Sequence, residues 1–120
     1  MKLPLLKPAY EAPDVDDVMR IQVDRLWPRG IAKEKARIDL WLQEIAPSTA
    51  LRQNFHGKPA DWDAFLTAYF IELESPEAQA AAKQLRQHLR KGPVTLLYAA
   101  RDEQHNNAVA LKRWLGRRKK

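Results

Sequence analysis

The sequence predicts a small α/β domain: a short, mostly parallel sheet covered by helices, with a helical insertion between the central strands. Three observations predict it. Two apolar runs of strand length, residues 20–26 and 94–100, are separated by a long stretch of helical periodicity. The second run is almost continuously apolar, as expected of a parallel strand covered on both faces. The chain has 120 residues, within the range of one domain and long enough to bury a core without metal or disulfide support. Residues 1–115 are assigned to that domain and residues 116–120 to a basic C-terminal tail.

Taken in order, residues 1–19 hold Pro4, Pro8 and Pro13 before Asp14, Asp16 and Asp17. Proline confines a first strand to a sheet edge, so the segment reads as a short edge strand and an exposed loop. Residues 20–26 largely alternate until Pro28 and Gly30 break the pattern. Ile21 and Val23 then share one face, and Asp24 emerges on the other near the carboxyl end. Residues 33–45, with Ala36, Ile38, Leu40, Trp41, Leu42 and Ile45, fit a helix that ends before Pro47. Ser48-Thr49 caps a short helix through Phe55, stopped by Gly57-Lys58-Pro59. From Ala60 or Asp61 a further helix carries Trp62, Phe65, Tyr69 and Leu73 at core spacing. Ser75 and Pro76 open the next, with Ala78, Ala81, Ala82, Leu85 and Leu89 on its buried side and Gly92-Pro93 at its end. After the strand at 94–100, a helix over about 103–115 turns Ala108, Leu111 and Leu115 inward.

Composition removes several functions. The chain has no cysteine, which excludes disulfides, thiolate nucleophiles, cysteine-ligated zinc and thiol redox chemistry. Its four glycines form no phosphate-cradling loop. His56, His88 and His105 lack convincing metal-ligand spacing, so neither metal nor cofactor is expected. No apolar stretch approaches the ~18 residues of a membrane span, and the start is too proline-rich for a signal segment. A soluble cytoplasmic protein without membrane contact is the expectation, and nothing in the sequence speaks to oligomeric state. Net charge is +6, with five basic residues among the last eight. That tail reads as a solvated helix end or as a phosphate-binding feature.

The chemistry-bearing residues fall in two clusters, 23–30 and 101–107, each just after a strand. Ligands in open α/β sheets bind outside the carboxyl ends of strands, so these clusters are expected to be two lips of one pocket. Asp24, Asp102 and His105 are the candidate catalytic groups. Asp24 is suited to act as a general base or to hold a ligand amine, while Arg25 or Arg29 clamps a carboxylate or phosphate. The structural alternative is an Asp24–Arg25 network tying the loop to the sheet. Trp27 is either an aromatic wall or a core plug. Asp102 is placed as the N-cap of the last helix, putting His105 in its first turn, neutral at pH 7 and able to accept a proton. Asn106 and Asn107 are poor helix formers, so one is expected to face the pocket. Tyr98 and Arg101 complete the candidate ligand-binding set, Tyr98 having a core role as its rival reading. Ser48 lies in no nucleophile elbow, and capping accounts for it.

Three blocks in order, VDRLWPRG, DLWLQEIAPSTALR and GPVTLLYAARDEQHNNAVAL, resemble the bacterial DUF488 family in its YeaO-like branch, and the resemblance spans residues 20–115. It implies a compact α/β domain and brings no assigned activity. Other branches carry a Cys-His-Arg-type cluster after the last strand. This chain has Asp102-Glu103-Gln104-His105-Asn106-Asn107 there, so no thiol chemistry carries across. The leading expectation is a small-ligand site, hydrolase- or transferase-like, acting on an anionic small molecule. The alternative is a nucleic-acid-binding or regulatory module using the basic C-terminus with Arg86, Arg90 and Lys91. A third reading is a protein–protein adaptor whose polar clusters are structural glue.

Overall fold

Four strands, β1 (Leu5–Pro8), β2 (Met19–Gln22), β3 (Leu40–Trp41) and β4 (Val94–Tyr98), form one parallel sheet in spatial order β1-β4-β2-β3. The computed structural model describes residues 2–55 and 58–117, so His56 and tail residues 118–120 lie outside the described residues. β4 is buried along its whole length, which explains its unbroken apolar sequence. It pairs with β1 from Leu5↔Thr95 to Pro8↔Tyr98 and with β2 from Met19↔Val94 to Gln22↔Leu97. Pro8 is tolerated because β1 is an edge strand, and the amide that reaches the Tyr98 carbonyl is that of Ala9, at 2.7 Å.

Alternation along β2 and β4 separates two apolar clusters. Ile21, Val23, Val94, Leu96 and Tyr98 belong to the main core with residues of α2 (Thr49–Phe55), α3 (Trp62–Glu72), α4 (Pro76–Lys91) and α5 (Asn107–Gly116). Each fully buried leucine there, such as Leu85 or Leu111, is worth roughly 1.5–3 kcal/mol relative to exposure. On the other face Leu97 packs with Ala9, Ala36 and Ile38. The same face holds a charged cluster: Asp17 accepts from Lys7 and from the buried Arg20, whose Nε donates to the Ala36 carbonyl at 2.9 Å. The longer helices therefore gather on one face, and shorter segments cover the other.

The helices of the insertion follow their sequence signals. Ser48 Oγ accepts the Leu51 N–H at 3.1 Å and donates to Glu72 Oε2 at 2.6 Å, tying α2 to α3. Ser75 caps α4 through the Ala78 N–H, and Ala78, Ala81, Ala82, Leu85 and Leu89 are its buried residues. The helix expected over residues 33–45 is corrected. The α-helix stops at α1 (Lys33–Ala36), because Arg37 turns left-handed at φ 50° and ends it, and the stretch turns helical again only in a short 3-10 turn at Gln43–Ile45. Asp39 then anchors the chain to the sheet, donating its N–H to the Arg20 carbonyl and accepting the Arg20 N–H, both at 2.9 Å. Ile38, Leu40 and Leu42 alternate with exposed Asp39 and Trp41, a strand period hidden among apolar residues that also fit a helix.

Candidate functional site

At the carboxyl ends of β2 and β4 lies a cavity of about 730 Å³, and both predicted lips line it: Asp24, Trp27 and Arg29 from one, Arg101, Asp102, His105, Asn106 and Asn107 from the other. Asp24 continues the Gln22 side of the strand alternation and is fixed at its Oδ2, which accepts Gln22 Nε2 at 2.6 Å and the Ala99 N–H at 2.8 Å. Its Oδ1 takes no hydrogen bond among the described residues. Burial pushes the Asp24 carboxyl upward, against the opposing pull of the Asn107 amide, the Ala99 N–H, the Gln22 amide and the Arg52 charge.

The second lip is a turn followed by a helix. Asp102 Oδ1 accepts the N–H groups of Gln104 and His105 at 2.8 and 3.0 Å, and its Oδ2 lies 3.0 Å from His105 Nδ1. The Gln104 N–H, the His105 N–H and the His105 ring hold the Asp102 carboxyl below its ordinary value despite some desolvation, so it stays ionised. An ionised Asp102 assigns a hydrogen to His105 Nδ1, so in the neutral tautomer that fits this contact Nε2 is the acceptor. The other edge of the imidazole environment is Trp62, 5.3 Å away and edge-to-face.

The capping assignment is corrected. Asp102 closes a turn, and Asn106 caps α5 by accepting the Val109 N–H at 2.9 Å while donating to the Asp102 carbonyl at 2.8 Å. His105 therefore precedes the helix instead of standing in its first turn. Asn107 opens α5 and donates to the Val23 carbonyl at 2.9 Å, stitching one lip to the other.

Two residues lie apart from the cavity. Arg25, on the opposite side of the chain from Asp24, donates to the Ala46 carbonyl at 2.9 Å, sits 3.7 Å from Glu44, and lines a separate cavity of about 200 Å³. The extended chain runs past the end of β2 through Val23, and the adjacent residues Asp24 and Arg25 leave it on opposite sides and line different cavities. Tyr98 is buried in the main core and is absent from the cavity wall. Trp27 has both roles weighed for it: it lines the cavity, while its Nε1 donates to the Ile31 carbonyl at 2.7 Å and its ring meets Trp41 edge-to-face at 5.4 Å.

The remaining wall includes residues that sequence reasoning missed, among them Tyr10 after β1, Arg52 and Phe55 on α2, and Phe65 on α3. Tyr10 had a usable signal, since it follows a strand parallel to β4. Arg52 and Phe55 had none, because α2 reaches the strand ends only through tertiary packing. Among the described residues no three His, Asp or Glu side chains gather as a metal-binding set, and no helix is long and apolar enough to cross a membrane.

A four-stranded parallel sheet covered by helices defines the class of protein, a small α/β domain. Within that class the chain belongs to the DUF488 family: residues 5–120 match the family described as the inactive DUF488-N3 subclade. The chain is 43% identical to the uncharacterised protein YeaO of Escherichia coli (strain K12), over 91% of this chain and 93% of that protein. It is 37% identical to uncharacterised proteins of Mycobacterium bovis and Mycobacterium tuberculosis, over 91% of this chain and 90% of each. No solved structure matches the chain.

Proposed function

We propose that this protein binds a small anionic molecule in the strand-end cavity and does not turn it over. The observation that carries the reading is the convergence on one cavity of Asp24 and His105 with Arg29, Arg52 and Arg101. Binding is favoured over hydrolase or transferase chemistry by the lining itself. No serine, threonine or lysine is among the described residues that form it, so the lining offers the Asp102–His105 pair no aliphatic hydroxyl or amine as a covalent nucleophile. The description of the matching subclade as inactive agrees.

The basic-surface alternative has less support. The guanidinium groups of Arg86 and Arg117 stack over the Trp114 ring at 4.8 and 4.5 Å, and Arg117 lies 3.4 Å from Glu74, so part of that charge is already engaged.

Thermal unfolding with phosphate, pyrophosphate and citrate tests the proposal. A bound anion is expected to raise Tm, with about 2.7 kcal/mol of stabilisation at a hundredfold excess over Kd. The double variant Arg52→Gln/Arg101→Gln is expected to lose the response, and Arg117→Gln, away from the cavity, to keep it. No response to any anion, or one removed equally by Arg117→Gln, overturns the reading.

A further inference from the structure

Building on this binding reading, we infer that the ligand is nucleotide-like: a planar heteroaromatic ring that presents an amino group to the cavity floor and a phosphate to its mouth. The floor offers acceptors. Asp24 has one free oxygen, Oδ1, because Oδ2 already receives two donors. His105 adds Nε2, since Asp102 holds Nδ1 at 3.0 Å. The nearby amides each spend one N–H within the protein, Asn106 on the Asp102 carbonyl and Asn107 on the Val23 carbonyl, and the Asn107 amide also faces the Asp24 carboxyl. Asp24 Oδ1 and His105 Nε2 favour a ligand that donates, and a carboxylate with one oxygen outside the internal hydrogen bonds suits a single amino group better than a two-point donor pair.

The walls select a flat body. Tyr10, Trp27, Phe55 and Phe65 reach the cavity from four different segments, and aromatic surface of this kind favours a planar ring. At the mouth Arg29, Arg52 and Arg101 are exposed, and none is in a salt bridge among the described residues. These three guanidinium groups outnumber the Asp24 and Asp102 carboxylates of the same cavity and present planar N–H donors that suit a phosphate. A volume of about 730 Å³ leaves room for a mononucleotide.

The test titrates adenosine and cytidine 5′-monophosphates, each against the analogue that lacks only the exocyclic amino group, by calorimetry at low ionic strength. At least one amino nucleotide is expected to bind about tenfold tighter than its analogue, the effect of leaving one acceptor at the floor unpaired. Asp24→Asn sets an amide donor where Oδ1 stood and is expected to abolish that preference. Arg52→Gln is expected to weaken both members of a pair equally. The wild-type comparison decides the matter even if a variant folds poorly. Equal affinities within both pairs overturn the inference. So does a failure of every nucleotide to bind while phosphate or pyrophosphate still raises Tm, an outcome that leaves the binding reading standing. Silence from nucleotides and inorganic anions alike removes both.

Discussion

Asp24 is held where burial raises its carboxyl pKa, and Asp17, at the other end of β2, is held where its neighbours lower it. Burial opposes ionisation of Asp17 too, but the Asp14 N–H, Lys7 and Arg20 together outweigh it. The consequences for stability have opposite signs. With its folded pKa raised, Asp24 penalises the native state as pH climbs from the unfolded value through the folded one. With its folded pKa lowered, Asp17 stabilises the native state above the unfolded value, and that contribution is lost as pH falls through the folded pKa. Asp24→Asn keeps an oxygen for Gln22 and Ala99, so its Tm at pH 7 is expected to exceed wild type, the gain vanishing below about pH 4. Asp17→Asn strands Arg20, which is 3% exposed and already has one Nη atom without a partner, and is expected to cost about 3–5 kcal/mol in urea denaturation at pH 7. A stabilising effect of Asp17→Asn, or a destabilising one of Asp24→Asn, would contradict these assignments. Asp24 thus has the profile of a group retained for what it contacts at some cost to the fold.

Elements with a single competing signal were legible, and those with two were not. α4 has one cap, one apolar stripe and one stop, and its buried residues are those its period predicts. Residues 33–45 satisfy both helical and strand periods over a short window, and the contest is settled by the left-handed Arg37 and by pairing of Asp39 with Arg20 across the sheet. The start of α5 is a contest between two good caps. Asp102 and Asn106 each have a suitable amide within reach, and the chain spends Asp102 on a turn so that Asn107 can bond the Val23 carbonyl. Asn106 thus secures the helix and the turn that carries His105 together. Asn106→Ala removes a helix cap and the bond to the Asp102 carbonyl, and is expected to cost about 1–2 kcal/mol in urea denaturation. The anion response in thermal unfolding is expected to shrink with it, because the turn is freed from the helix. An unchanged midpoint would place the α5 start elsewhere.

At the scale of the whole molecule, the two lips were readable because each immediately follows a strand, a relation written in sequence order. The opposite wall was not, since Arg52, Phe55 and Phe65 join the cavity only when α2 and α3 fold over the strand ends. Arg25 was assigned to the cavity by its sequence neighbourhood, and strand alternation sent it to the other side. The same alternation makes β2 and β4 a partition shared by both apolar clusters: Leu96 serves one and Leu97 the other. Neither cluster can dissolve without uncovering strands that the other needs, so one cooperative transition is expected despite the two clusters. Tryptophans report on both sides, Trp62 and Trp114 from the main core and Trp27 from the smaller cluster. In urea, fluorescence of variants retaining only Trp114 or only Trp27 is expected to change at the same midpoint as far-ultraviolet dichroism, with m of about 1–3 kcal/mol/M. A bound anion should move that midpoint without altering m, because it adds stability to a cavity whose walls come from both ends of the chain. An earlier transition for Trp27 alone would mean that the face bearing the loop of Arg29 opens independently. The cavity would then be built on a separately unfolding segment instead of on the shared sheet.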